Sequence, residues 1–270
     1  MHDLSMFQAF VLGALQGLAE FLPVSSSAHL ALAPWAFGWP EPGLAFDVAL
    51  HAGSLVALLW YFRTEWLALT RASVSIVTTR RVDTPEKRRA VLLVIATIPG
   101  GIAGLLLEKK AETVFRAPAL TAAALIVMGA LLWIVDARAS RARNLGAFTR
   151  LDAFLCGCAQ AFALIPGVSR SGATITAARW LGFDRESAAT FSFMMSMPII
   201  AAAAILKVPK AIAESGVTLP VTVAVVTAAV SSLFAISVLL RYVKHRGLGV
   251  FAIYRFVLGA AVLALVAARG

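Results

Sequence analysis

The chain has 270 residues, of which 60% are hydrophobic and only 14% charged, with a formal charge of +10 at pH 7. A mean hydropathy of +0.85 excludes an ordinary soluble domain. The apolar runs are continuous, which excludes the alternating strands of a membrane barrel and leaves α-helices to satisfy the backbone in lipid. Basic residues fall between apolar runs, where they orient a membrane protein, so no nucleic acid is expected as a partner.

The chain begins Met1-His2-Asp3 without a basic leader or a cleavage site, so the first apolar stretch is not read as a removed signal peptide. That stretch, about 6–22, carries Gln16 and Glu20, four residues apart and on one helical face. A carboxylate inside an apolar arm is costly and marks a polar cavity. Glu20 is therefore a candidate metal ligand, with Gln16 a second oxygen donor, and such oxygens suit Mg2+ or Ca2+. It is equally a group poised beside an anionic substrate.

Next comes Pro23-Val24-Ser25-Ser26-Ser27-Ala28-His29. Pro23 ends the first arm, and Ser25 is placed to cap a second over about 25–37. The two arms read as a re-entrant helix–loop–helix hairpin. Ser26 and His29 share a helix face at a spacing that suits a nucleophile and its base. Capping serines beside a hydrogen-bonded interior histidine would have the same spacing, and the residues alone leave both readings open.

Three spans follow, over about 44–62, 91–107 and 119–135. Near the start of the first, Asp47 and His51 read either as a structural pair or as cavity lining. The stretch from Arg80 to Arg89 reads as a basic loop against anionic headgroups. A further apolar arm, about 151–165, contains Cys156 and Cys158, read as small core residues. It breaks at Pro166-Gly167-Val168-Ser169-Arg170-Ser171-Gly172-Ala173-Thr174 and returns over about 171–181 as a second hairpin. Glycine lets backbone N–H groups turn toward a ligand, and a helix start favours anions. Hydroxyls of Ser169, Ser171 and Thr174 add donors, and Arg170 offers a planar fork suited to phosphate oxygens. Ser25, Ser27 and Gly167 join the same phosphate-binding set. Asp184-Arg185-Glu186 reads as a solvated helix start. Spans over about 187–205, 219–240 and 249–268 complete the chain, the last holding Tyr254 and Arg255. Arg255 reads as a second cation of the site or as a bundle contact.

The two breaks echo each other without a gap. Residues 16–28 superpose on 160–172, with Gln16 on Gln160, Val24 on Val168 and Ser25-Ser26-Ser27 on Ser169-Arg170-Ser171. One set of inter-span segments carries Arg63, Arg71, Arg80, Arg81, Lys87, Arg88, Arg89, Arg138, Arg141, Arg143, Arg150, Arg179, Arg185, Arg241, Lys244 and Arg246. The opposite set carries only Lys109, Lys110, Arg116, Lys207, Lys210 and Arg269. The richer set is expected to be cytoplasmic. The first hairpin then enters from outside and the second from the cytoplasm, with three spans between them inverting the second copy. Counting both hairpins as full spans would keep each inter-span loop on the side already assigned to it, and only the hydroxyl-rich breaks favour re-entry. The expected fold is thus an all-α polytopic membrane protein of about six transmembrane helices plus two re-entrant hairpins in an inverted-topology repeat. It forms one integral membrane domain, 1–270, with halves of about 1–140 and 145–270.

Gln16-Gly17-Leu18-Ala19-Glu20 leading into Pro23-Val24-Ser25-Ser26 and His29, followed by Pro166-Gly167-Val168-Ser169-Arg170-Ser171-Gly172, resembles the bacterial undecaprenyl-pyrophosphate phosphatases of the bacitracin-resistance type. Gln16 stands where some members carry Glu, and Ala28 where Gly is common. The resemblance implies hydrolysis of undecaprenyl diphosphate to undecaprenyl phosphate and inorganic phosphate, recycling the carrier for peptidoglycan. It also implies bacitracin resistance, a divalent cation, and a multi-pass protein of the bacterial inner membrane with an extracytoplasmic site. Ser26, His29, Glu20 and Arg170 are then the catalytic candidates. The rival expectation is a transporter or flippase for an anionic polyprenyl phosphate lipid, since inverted repeats with broken helices are a common carrier plan. Small-residue spans such as Ala201–Ala204 permit close packing within one chain or between two copies, which leaves a homodimer open.

Overall fold

Helices and Pro/Gly breaks alternate along the computed structural model, which describes residues 4–112 and 117–269. The Met1-His2-Asp3 terminus and Arg116 lie outside the described residues. In chain order the helices are α1 (Met6–Phe21), α2 (Ser26–Phe37), α3 (Leu44–Tyr61), α4 (Arg63–Thr79), α5 (Pro85–Glu112), α6 (Pro118–Arg138), α7 (Arg150–Ala161), α8 (Arg170–Trp180), α9 (Arg185–Ser215), α10 (Leu219–His245) and α11 (Gly249–Arg269). Among the described residues no strand forms, and a single isolated bridge joins Arg143 to Phe183.

Length separates spans from re-entrant arms. α1, α2, α7 and α8 contain 16, 12, 12 and 11 residues. At ~1.5 Å per residue the longest reaches only about 24 Å, short of the ~30 Å hydrocarbon core. Helices α5, α6, α9, α10 and α11 are each long and apolar enough to cross. α3 and α4 are apolar enough only as a pair, which counts as a sixth crossing if taken as one span bent by 87° at Phe62.

α4 is the element the sequence reading does not contain, because residues 63–79 mix charged and apolar residues without a continuous run. The helix forms by laying Leu69 and Ala72, both buried, inward and by packing on α5. The basic loop from Arg80 to Arg89 is correspondingly shorter. α5 already begins at Pro85, a residue suited to a first helical turn, and Lys87 pairs with Asp83 at 2.8 Å.

The two halves exchange their hairpins. α1 is seated on α10 and α7 on α5, while α3 meets α9 and α6 meets α11. Close approach requires small residues at these crossings. A Cβ at Gly17 would collide with the Ser231 side chain and the Ala228 carbonyl of α10, and one at Gly157 would lie 2.5 Å from the Ala96 carbonyl of α5.

At the end opposite the entry of the first hairpin, Asp136 gathers four elements. Arg179 Nε donates to its Oδ1 at 3.0 Å and Arg185 Nε to the same atom at 2.7 Å. Arg185 Nη2 and the Leu248 N–H donate to Oδ2 at 2.8 and 2.9 Å. Arg179 also donates to the carbonyls of Ser140, Phe183, Asp136 and Ala139. Asp184 caps α9 as expected, through the Ser187 N–H. Arg185, however, is not the solvated residue of that reading, because it is drawn into the Asp136 network. Replacing Asp136 by Ala would leave the fully buried Arg179 without its counter-charge. Thermal unfolding in detergent is expected to show a loss of about 3–5 kcal/mol, and a loss below about 1 kcal/mol would refute this role for the network.

Candidate active site

Each hairpin break is built by the same local device. α1 ends at Leu22, extended at φ −65° and ψ 139°, as the following Pro23 demands. Ser25 then adopts φ +76° and accepts the Ala28 N–H, capping α2. In the second hairpin Ser169 adopts φ +69° and accepts the Gly172 N–H, capping α8. Ser25 Oγ meets Ser27 Oγ at 3.2 Å, and Ser169 Oγ meets Ser171 Oγ at the same distance. Positive φ at a non-glycine residue costs ~1–3 kcal/mol and persists where its surroundings fix it. Here the opposite hairpin does so. The Gly167 N–H donates to Ser25 Oγ at 3.1 Å, and Ser171 Oγ donates to the Leu22 carbonyl at 3.1 Å.

Joining the breaks brings side chains 150 positions apart onto one carboxylate. Glu20 Oε1 accepts from Arg170 Nη2 at 2.7 Å. Its Oε2 accepts from Ser26 Oγ and from Gln16 Nε2, the latter at 3.2 Å, with His51 Nε2 3.5 Å away. Arg170 is braced by the Ser196 carbonyl at 3.3 Å, which leaves other guanidinium N–H groups for a ligand. Behind Gln16 a chain of polar contacts continues through Ser54 to Ser232. Glu20, Ser26, Gln16 and Arg170, singled out from the sequence, therefore meet.

Other expected residues are placed differently. His29 Nδ1 lies 2.7 Å from the Ser25 carbonyl and Nε2 lies 2.6 Å from the Tyr254 hydroxyl. A carbonyl only accepts, so in the neutral ring Nδ1 carries the proton and Nε2 accepts from Tyr254. Ser26 is bonded to Glu20 rather than to His29. The Thr174 hydroxyl is directed to Ser192 Oγ at 2.6 Å and to the Arg170 carbonyl at 2.8 Å, within the α8–α9 contact. Ser54, Ser196 and Ser232 had no signal in the sequence, being hydroxyls scattered among apolar spans. His51 had one in its spacing from Asp47, whose carbonyl holds His51 Nδ1 at 2.7 Å.

The donor set bears on whether a divalent cation fits. No group of three or more His, Cys, Asp and Glu side chains assembles among the described residues. Yet Gln16 Oε1 is buried without a partner beside the Glu20 carboxylate, and the hydroxyls of Ser26 and Ser54 are close by. Such an all-oxygen set with one carboxylate is compatible with a hard cation that keeps part of its water shell.

Known proteins resemble this chain over nearly its whole length. The model of the family described as "Bacitracin resistance protein BacA" matches residues 9–261. The chain is 59% identical over 266 residues to a protein of Gemmatimonas aurantiaca named undecaprenyl-diphosphatase, covering 98% of this chain and all of that one. Proteins of the same name from Pelotomaculum thermopropionicum and Moorella thermoacetica are 47% and 45% identical. They cover 98% and 97% of this chain, and 98% of each is matched.

Gly167 has φ +96°, and a Cβ there would strike the Thr121 carbonyl and lie 2.9 Å from the Ala124 Cβ. Gly167→Ala is therefore expected to lower stability by more than ~1 kcal/mol, read by thermal unfolding in detergent. An unchanged midpoint would mean that the second break relaxes freely.

Proposed function

The chain belongs to the bacitracin resistance protein BacA family, and from that premise we propose that the Glu20 site hydrolyses undecaprenyl diphosphate to undecaprenyl phosphate and inorganic phosphate. The observation that carries the reading is the single carboxylate holding a hydroxyl from its own hairpin and a guanidinium from the other. A nucleophile, a proton acceptor and an anion-binding cation are thereby within one contact of each other.

In this mechanism the terminal phosphoryl group binds between the N-termini of α2 and α8. Unpaired first-turn N–H groups and helix dipoles favour an anion there, and the free N–H groups of Arg170 take its equatorial oxygens. Ser26 Oγ attacks the terminal phosphorus as its proton passes to Glu20 Oε2, and undecaprenyl phosphate leaves with the bridging oxygen. Glu20 returns that proton to the departing phosphate. The restored carboxylate then takes a proton from the water that attacks the phosphoserine and hands it to Ser26 Oγ as inorganic phosphate leaves. Most of the rate enhancement comes from alignment and charge stabilisation, as phosphoryl transfer requires. His29, held by Tyr254, fixes the Ser25 carbonyl and with it the turn that carries Ser26. A divalent cation would be held by Glu20 and Gln16 and would neutralise diphosphate charge.

The orientation assigned from basic residues puts the start of α3 outside. His51, on that half of α3 and beside Glu20, keeps 34% of its side chain exposed, while the Asp136 network lies at the opposite end. This supports a site opening to the extracytoplasmic side of the inner membrane, where the lipid diphosphate of cell-wall synthesis is released.

Purified protein in detergent is expected to release inorganic phosphate from undecaprenyl diphosphate. Ser26→Ala and Glu20→Gln are each expected to reduce kcat by ~10²–10⁴-fold, and near wild-type turnover in Ser26→Ala would remove the nucleophile role. Arg170→Lys keeps the charge but loses the fork, with an expected loss of about 10²-fold or more. A chelator is expected to abolish turnover and added Mg2+ or Ca2+ to restore it. Full activity in chelator would show that Arg170 and the helix N-termini suffice.

A further inference from the structure

Arg255 lies a third of the way along the membrane-spanning helix α11 and is fully buried. Among the described residues its partners are backbone carbonyls. Nε donates to Leu125 at 3.2 Å, Nη1 to Pro23 at 3.1 Å, and Nη2 to Gly167 at 2.5 Å and to Val168 at 2.9 Å. Pro23 leads directly into the serine run of the first break, and Gly167-Val168 leads directly into Ser169-Arg170. One guanidinium thus touches both breaks on the stretch immediately preceding Ser26 and Arg170.

A buried cation is costly unless its donors are satisfied, and the Pro23, Gly167 and Val168 carbonyls lie where the helices are broken and lack a helical partner. The two deficits cancel, and the match depends on shape. A guanidinium presents its N–H groups in a rigid plane, whereas an ammonium is a compact point on a flexible stem. Only the former can hold carbonyls from two separate segments at fixed spacing. Gly172 on α8 makes the room, since a Cβ there would lie 2.7 Å from Arg255 Nη1.

We propose that Arg255 is a positioning residue for the hydrolysis: by fastening Pro23 of one break and Gly167 and Val168 of the other in one plane, it sets the spacing between Ser26 and Arg170. The role deepens the catalytic reading above and rests on it for the reaction assayed. Arg255 contacts neither Ser26 nor Arg170 through its guanidinium and acts through the backbone that carries them.

The test compares wild type with Arg255→Lys, purified in detergent, with activity normalised to the folded fraction from size exclusion. Hydrogen–deuterium exchange is followed over residues 22–28 and 165–172. Because misplacing reacting groups by about an ångström costs on the order of 10²-fold, kcat is expected to fall ~10–100-fold with KM within about threefold. Exchange is expected to rise over both breaks and to stay unchanged in α10. A kcat per folded molecule within about threefold of wild type would overturn the proposal, as would a lowered kcat with unaltered exchange at the breaks. Should Arg255→Lys not be recovered folded, Gly172→Ala, which displaces the same guanidinium, is judged by the same outcomes. Absence of phosphate release by wild type would instead overturn the assigned reaction, while the exchange readout would still decide the clamp.

Discussion

A carboxylate in the middle of an apolar bundle survives only if its charge is met on the spot, and here Arg170 meets it. The Glu20–Arg170 contact joins two hairpins from different halves of the chain, and the rest of the site is arranged around it. One oxygen of Glu20 meets Arg170 while the other accepts the Ser26 hydroxyl. The same pair thus joins the two hairpins and gathers the polar side chains around Glu20.

The repeat explains why two such breaks exist and why they do different work. Backbone geometry is duplicated closely, down to the positive-φ capping serine and the hydroxyl pair that follows it. The chemistry is divided. Ser26 in one copy corresponds to Arg170 in the other, and Glu20 corresponds to Leu164. Gln16 serves the working carboxylate, whereas its counterpart Gln160 is buried with both amide atoms unpartnered. One scaffold therefore supplies a hydroxyl from one side and a guanidinium from the other.

Much of this was legible in the sequence because membrane insertion imposes strong rules. Continuous apolar runs located α5, α6, α9, α10 and α11, and Pro23 and Gly167 located the breaks, since few residues tolerate those conformations. Glu20, Ser26 and Arg170 stood out as polar groups in apolar surroundings. α4 was missed because its stability comes from packing on α5 rather than from its own pattern. The Ser26–His29 spacing gave a helix face but not a partner. Which acceptor Ser26 finds was decided by Glu20 arriving from the preceding arm, and His29 was claimed by Tyr254 from more than 200 positions away. Long-range choices of this kind leave no local trace.

Hairpin exchange has a consequence for biogenesis. The α1–α2 hairpin is synthesised first, yet its seat is α10 and its break is clasped from α11. With translation at about 5–20 residues per second, roughly ten seconds or more pass before those helices leave the ribosome. Glu20 gains Arg170 once α8 has emerged, but until α11 follows the Pro23 carbonyl of the first break lacks Arg255. A chain cut off before its final helices would lack both the α10 seat of that hairpin and the Arg255 clasp on its break.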